Sequence, residues 1–397
     1  MNKHEKLTTF SQVLLWFGAA VSIAEIMTGA LLAPLGLSKG IVAIILGHVI
    51  GAFILYPAGL IGARSGLSSI ESTRISFGSH GSYVFSVLNV LQLLGWTAIM
   101  IVNGAKAFDG ITQKIARYQN EQLWCIIIGF FICLWVAIGI KNLSKVNVVV
   151  VTALFLFTIV LGVTVFTKTG NHPAMMETIS FGAAVELNVT MALSWLPVIS
   201  DYTRDLENPV QGTIGSVLSY TLGSCFMFII GLGAAVYAGS TDVFAVLTAA
   251  GLGFVACIII FFSTVTTTFL DVYSAGVSAS NLNRKMNEKI AAVVLGIMGI
   301  IIALFVSMDL YEDFLYLIGS VFAPLFAILF VDYFYYGKTK INERCLLNMK
   351  NAVLWVIGFV VYRFLMVYHT PVGITFPVML VIGVLCLIVN TVQGKRK

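Results

Sequence analysis

Apolar residues run along this chain in long unbroken blocks, with neither the alternation of a half-buried strand nor the single stripe of a soluble helix. Leu123–Ile140, Val146–Phe166 and Ile290–Val306 are typical. Blocks of about 20 apolar residues are what a helix needs to cross a hydrocarbon core. Barrel strands are shorter and alternate, so the blocks exclude a β-barrel. The pattern predicts an all-α bundle of about 12 transmembrane helices, over 12–36, 40–62, 82–108, 121–140, 146–167, 182–200, 212–238, 246–277, 289–307, 313–335, 351–368 and 373–391. No connection exceeds roughly 20 residues, which leaves no room for a soluble domain. Residues 1–397 are therefore expected to form one transmembrane domain.

Composition sharpens this picture. The chain is 59% hydrophobic and 10% charged, with a mean hydropathy of +0.97. Soluble domains carry about 25% charged residues, so water cannot be the main solvent here. Basic residues mark the cytoplasmic loops of membrane proteins. With the N-terminus inside, Lys39, Lys106, Lys114, Arg117 and Lys168 face outward and Arg363 lies within a span. The other basic residues, from Lys3 and Lys6 to Lys395, Arg396 and Lys397, fall inside. Both termini are then cytoplasmic at the cell membrane. The net charge of +5 reflects this loop bias and gives no support for nucleic-acid binding. The first apolar run continues past Pro34 without a small-residue cleavage site, as in a retained helix.

Metal and enzyme signatures are missing. The six cysteines (125, 133, 225, 257, 345 and 386) form no CxxC or Cys/His pair. The five histidines (4, 48, 80, 172 and 369) are dispersed, and only His48 sits within a span, where packing or a hydrogen bond explains it. Neither HExxH, GxSxG nor a GxxxxGK[ST] loop occurs, so neither an integral membrane enzyme nor ATP-driven transport is expected. No cofactor and no obligate protein partner are expected. A channel would need a repeated row of polar residues, which is also absent.

Acids inside spans are the informative exceptions, because each costs about 2.5–3.5 kcal/mol at mid-depth on insertion scales. Glu25 lies in Ser22-Ile-Ala-Glu-Ile-Met-Thr-Gly29. Two readings fit it: an unwound segment whose carbonyls and carboxylate hold a cation or basic solute, or a protonated acid bonded to another helix. On the first reading Ala24, Met27 and Thr28 are candidate cation donors, with Gly29 weakening the helix. Glu186 precedes Asn188, Thr190, Ser194 and Pro197 in the short sixth span, either as a solute ligand or at the outer interface. Asp271 follows a hydroxyl cluster, Ser263, Thr264, Thr266, Thr267 and Thr268. That cluster suits a hard cation such as sodium, beside an acceptor for the solute, although single hydroxyls also bond their own helix. Interruptions in corresponding spans of two halves point to an inverted-repeat transporter. Spans one to five (about 10–170) and six to ten (about 180–336) form the repeats, with extra helices at about 350–391. Trp96 lies mid-span, away from the interface where tryptophan is usual. Its indole is either core packing or a stacking surface for a planar ring, and Trp195 reads as packing.

Five motifs follow one another along nearly the whole chain: Phe77-Gly-Ser-His-Gly-Ser82, Gly95-Trp96, Ser200-Asp-Tyr-Thr-Arg204, Tyr273-Ser-Ala-Gly276 and Val331-Asp-Tyr-Phe334. In these motifs the chain resembles the nucleobase–cation symporters, and within them the hydroxymethylpyrimidine permeases. The resemblance implies a five-plus-five inverted repeat with broken first and sixth helices, as in leucine transporters, plus two helices. It also implies that Trp96 stacks on the solute ring. Three positions depart from the family pattern: Met100 replaces a glutamine, Asp271 an asparagine, and Ala192 an aromatic whose role Trp195 can take. Val265 and Thr266 fall at the family's sodium ligands, and valine cannot ligate, which leaves sodium or proton coupling open.

Met100 and Asp271 together remove amide donors, and Asp271 and the appearance of Glu25 add acids. The expected function is cation-coupled import of a pyrimidine by alternating access, with hydroxymethyl-aminopyrimidine, a thiamine precursor, as the first choice. A carboxylate accepting from an exocyclic amino group forms a charge-assisted bond. The alternatives are cytosine, another nucleobase or a hydantoin, and then an amino-acid or amine carrier of the same plan. The last would need a carboxylate-binding helix end or an aromatic cage.

Overall fold

The computed structural model describes residues 6–139, 144–167, 179–238, 253–283, 285–306, 311–368 and 370–394. Lys3, Lys141, Lys168, Arg284, the residues from Lys395 on, His4, His172, His369 and the start of the eighth expected span (246–252) lie outside the described residues. Among the described residues the regular elements are helices. In order come α1 (Thr9–Ala20), α2 (Ile23–Leu31), α3 (Gly36–Ser65), α4 (Ser69–Ser72), α5 (Arg74–Ala116), α6 (Glu121–Ile138), α7 (Ser144–Thr167), α8 (Phe181–Leu193), α9 (Leu196–Thr203) and α10 (Pro209–Ala238). Then follow α11 (Gly253–Leu282), α12 (Glu288–Ala303), α13 (Tyr311–Phe330), α14 (Met349–Leu365) and α15 (Thr375–Gly394). Among the described residues, seven stretches are both long and apolar enough to cross a membrane. Large apolar side chains such as Phe53, Leu222 and Val367 point outward, as a lipid-facing surface requires.

Two expected spans are broken into half-helices. The first breaks at Val21–Ser22, where the backbone turns extended and Ser22 caps α2 by accepting from the Glu25 amide at 3.4 Å. The break was expected to extend toward Gly29, but Gly29 is helical for a different reason. A side chain there would meet the Phe228 carbonyl at 2.2 Å, and one at Gly231 would meet the Ile26 carbonyl at 2.0 Å. These two glycines let α2 and α10 press backbone to backbone. The sixth span breaks at Ser194–Trp195, and Pro197 sits in the first turn of α9, where its missing donor costs nothing.

The glycine of the Phe77–Ser82 motif has a concrete task. Gly78 takes φ +77°, and the Ser79 and His80 amides then bond the Cys345 and Leu346 carbonyls at 3.3 and 2.8 Å. This fixes the start of α5 against the segment before α14.

Candidate functional site

Both breaks open on one central cavity. Ser22, Ala24 and Glu25 line it from the first break, and Met191, Ser194 and Trp195 from the second. Trp96 and Met100 on α5 and Thr267 and Asp271 on α11 complete the wall. The cavity is tight in this conformation: the centre of a water molecule has only about 20 Å³ to move in, room for about one water. The broken helices place polar side chains here without leaving backbone groups facing lipid.

The two acids are held differently. Glu25 is buried, and its carboxylate accepts from the Tyr220 hydroxyl at 3.0 Å and the Ser224 hydroxyl at 2.8 Å, both on α10. Asp271 is also buried and lines the cavity with no hydrogen-bond partner among the described residues. A carboxylate left bare in such a place awaits a donor. Two indoles face this space. Trp96 packs edge-on to Tyr311 and Phe314, and its Nε1 has no partner. Trp195 packs edge-on to Trp16 and Tyr220.

Of the expected solute ligands, Trp96, Glu25, Asp271, Met100 and Trp195 meet in the cavity. Ala192, Asn188 and Glu186 do not line it. Ala192 fills the space left by Gly51 on α3. Asn188 donates to the Ala184 carbonyl at 2.7 Å and packs on Gly47. Glu186 is a correction of a more basic kind, because its carboxylate is fully engaged elsewhere. It accepts from Tyr362 at 2.5 Å, from the Ile374 and Thr375 amides at 2.6 and 2.9 Å, and from the Thr375 hydroxyl at 2.6 Å. An acid that caps the N-terminus of α15 is a structural clasp. Ser22, Met191 and Ser194 line the cavity without having been singled out for it; only their place at the breaks could have flagged them. Tyr220 and Ser224 were also missed, and their signal was two polar residues one turn apart on an apolar span.

The expected cation donors divide in the same way. Ser263 Oγ lies 2.6 Å from the Val21 carbonyl and Thr267 Oγ1 3.3 Å from that of Gly18, across the first break. Thr266 bonds its own helix at Phe262, and the Thr264 hydroxyl is buried against Gly104 without a partner. Ala24, Met27 and Thr28 lie beyond the break on regular α2: the Thr28 hydroxyl donates to the Ala24 carbonyl at 2.8 Å and meets Tyr311 at 2.7 Å. They are no part of the oxygen cluster at the break. That cluster has the donor chemistry of a sodium site, with its hydroxyls turned onto the carbonyls of the break. A cation there would turn the Ser263 hydroxyl hydrogen away from the Val21 carbonyl and take both oxygens as ligands.

Comparison with known proteins places this cavity in context. A family model described as permease for cytosine/purines, uracil, thiamine, allantoin matches residues 2–386. The chain belongs to this family. It is 25% identical over 364 residues to the cytosine permease of Escherichia coli K12, covering 89% of this chain and 84% of that one. It is 23% identical over 420 residues to the hydantoin permease of Microbacterium maritypicum, covering 98% and 85%. Its fold matches a nucleobase-cation-symport-1 family transporter in a closed conformation with bromovinylhydantoin bound, with a TM-score of 0.82, 18% identity and coverage of 99% and 94%. It also matches a sodium-coupled sialic acid symporter, with a TM-score of 0.72, 12% identity and coverage of 99% and 90%. The protein is thus a multi-pass membrane permease of this helical plan and not an enzyme.

Proposed function

We propose that this permease imports an aminopyrimidine base into the cell by cation-coupled alternating access, with both chain ends cytoplasmic. The observation that carries the reading is the pairing of two buried acids, Glu25 and Asp271, with two indoles in one small cavity. A flat aromatic solute stacks on an indole face. Its exocyclic amino group supplies the donor that the bare Asp271 carboxylate needs, in a charge-assisted bond. Uracil or a hydantoin presents oxo groups at the corresponding edge, and would set acceptor against acceptor at a site that cannot hydrate them.

Within this class hydroxymethyl-aminopyrimidine is the solute favoured by the acids, since Met100 offers no donor to a ring oxo group. Cytosine is the second reading. It carries the same amino group, the unpartnered Trp96 Nε1 is one donor for its oxo group, and a cytosine permease is among the relatives. Thermal unfolding of the purified protein with cytosine, hydroxymethyl-aminopyrimidine, uracil and a substituted hydantoin, each with and without sodium, tests both. A ligand at 100 times its dissociation constant stabilises by about 2.7 kcal/mol. The two amino-bearing rings should raise the transition, and the larger shift at equal concentration identifies the solute. Equal stabilisation by uracil would overturn the assignment.

A further inference from the structure

We propose that Glu25 and His48 share one transferable proton through Ser224, and that this buried string is the coupling-ion site of the permease, with the proton as the ion. The proposal rests on the reading of Glu25 as a wall of the solute cavity. His48 lies on α3, behind the cavity, and is 3% exposed. Its Nδ1 is 2.9 Å from the Ile44 carbonyl; a carbonyl only accepts, so Nδ1 carries a hydrogen. Its Nε2 is 2.7 Å from Ser224 Oγ, and Ser224 Oγ is 2.8 Å from Glu25 Oε2.

Two short contacts thus meet at a hydroxyl that owns a single hydrogen. With Glu25 an anion and His48 neutral, one contact would set lone pair against lone pair. Both contacts become hydrogen bonds only when the string holds one more proton, on Nε2 or on Oε2. The two placements interconvert by a concerted shift: Nε2 passes its proton to Ser224 Oγ while that oxygen releases its own to Glu25 Oε2. An imidazolium–carboxylate pair then becomes two neutral groups, with no change in net charge. Losing the extra proton leaves a lone buried carboxylate, which the closed bundle opposes.

The surroundings leave the proton to these groups. From α10, Tyr220 donates to the other Glu25 oxygen and the Phe228 ring stands edge-on to the imidazole at 4.9 Å. The Asn188 amide of α8, packed on Gly47, lies within hydrogen-bonding reach of the imidazole, where its free oxygen favours a protonated ring; the neighbouring Glu186 is held at α15, and Tyr311 of α13 is bound to Thr28. Asp271 of α11 lies in the wall of the same cavity as Glu25. Solute and proton therefore meet at one carboxylate, and the charge the solute encounters depends on whether the proton is there. That dependence is a coupling free energy.

Two measurements test this. Histidine-selective ¹⁵N NMR of the purified protein, with the His48 signal assigned from His48→Gln, reads the string without any solute. Ser224→Ala should strip Nε2 of its hydrogen-bond partner in either placement and shift its resonance, and Glu25→Gln should leave a neutral Nδ1–H imidazole at every pH; a His48 signal unaffected by both would overturn the proposal. In proteoliposomes, one pH unit supports about tenfold accumulation if one proton accompanies each solute. Labelled cytosine should be concentrated by the wild type under an inward proton gradient. His48→Gln should keep cytosine exchange but only equilibrate the label. Accumulation by His48→Gln equal to that of the wild type, or wild-type accumulation that follows sodium alone, would refute proton coupling. Absence of cytosine exchange in the wild type would instead count against cytosine as solute, and the NMR result would then decide the string.

Discussion

At the scale of single residues, what separates Glu25 from Asp271 is company. Glu25 is satisfied by Tyr220 and Ser224, whereas Asp271 has an open carboxylate. Asp271 should therefore be the stricter judge of the solute. Asp271→Asn replaces an acceptor by an amide that also donates, and should weaken aminopyrimidine binding by about 10–100-fold, or about 1.4–2.7 kcal/mol. It should also improve uracil relative to cytosine, which competition binding on the purified variant would show. The sequence made Glu25, Asp271 and Trp96 legible because acids and a mid-span indole are anomalous in an apolar run. It could not rank Glu186, an equally anomalous acid. What distinguishes it is a set of donors from residues far away in the chain, Tyr362 and Thr375. Chemistry is visible in a residue type; the partner that uses it up is visible only in the packing.

At the scale of elements, the existence of two broken spans was readable and the place of the first break was not. Gly29 looked like the weak point, yet the helix yields at Val21–Ser22 because Ser22 offers a cap and the α11 hydroxyls of Ser263 and Thr267 take up the freed carbonyls. A glycine kept for close approach and a glycine kept for unwinding look identical in one sequence. The structure gives Gly29 the first task, because any side chain there strikes the backbone of α10. Gly29→Ala should then destabilise the protein by about 1–3 kcal/mol through overpacking. A lower unfolding temperature in detergent, with a larger loss for the double change with Gly231→Ala, would bear this out. No loss of stability would return Gly29 to the role of a hinge.

At the scale of the whole molecule, Glu186 joins parts that the chain order keeps apart. Its carboxylate sits on α8, the first half of a broken helix, and its four donors come from α14 and from the start of α15. The two final helices are thereby bound to the half-helix whose end, at Ser194–Trp195, lines the cavity. Gly373, at φ +78°, lets the chain pass close enough for this, since a side chain there would meet Glu186 Oε2 at 2.4 Å. Glu186→Gln keeps the size but replaces an oxygen that only accepts by an amide nitrogen that must donate, facing backbone N–H groups. Hydrogen bonds to a charged group are worth about 1.5–3 kcal/mol each, so the change should cost about 3 kcal/mol of stability. If Glu186 is a clasp alone, the folded fraction of Glu186→Gln should still bind solute with wild-type affinity. A selective loss of affinity, with stability intact, would restore Glu186 to the solute path.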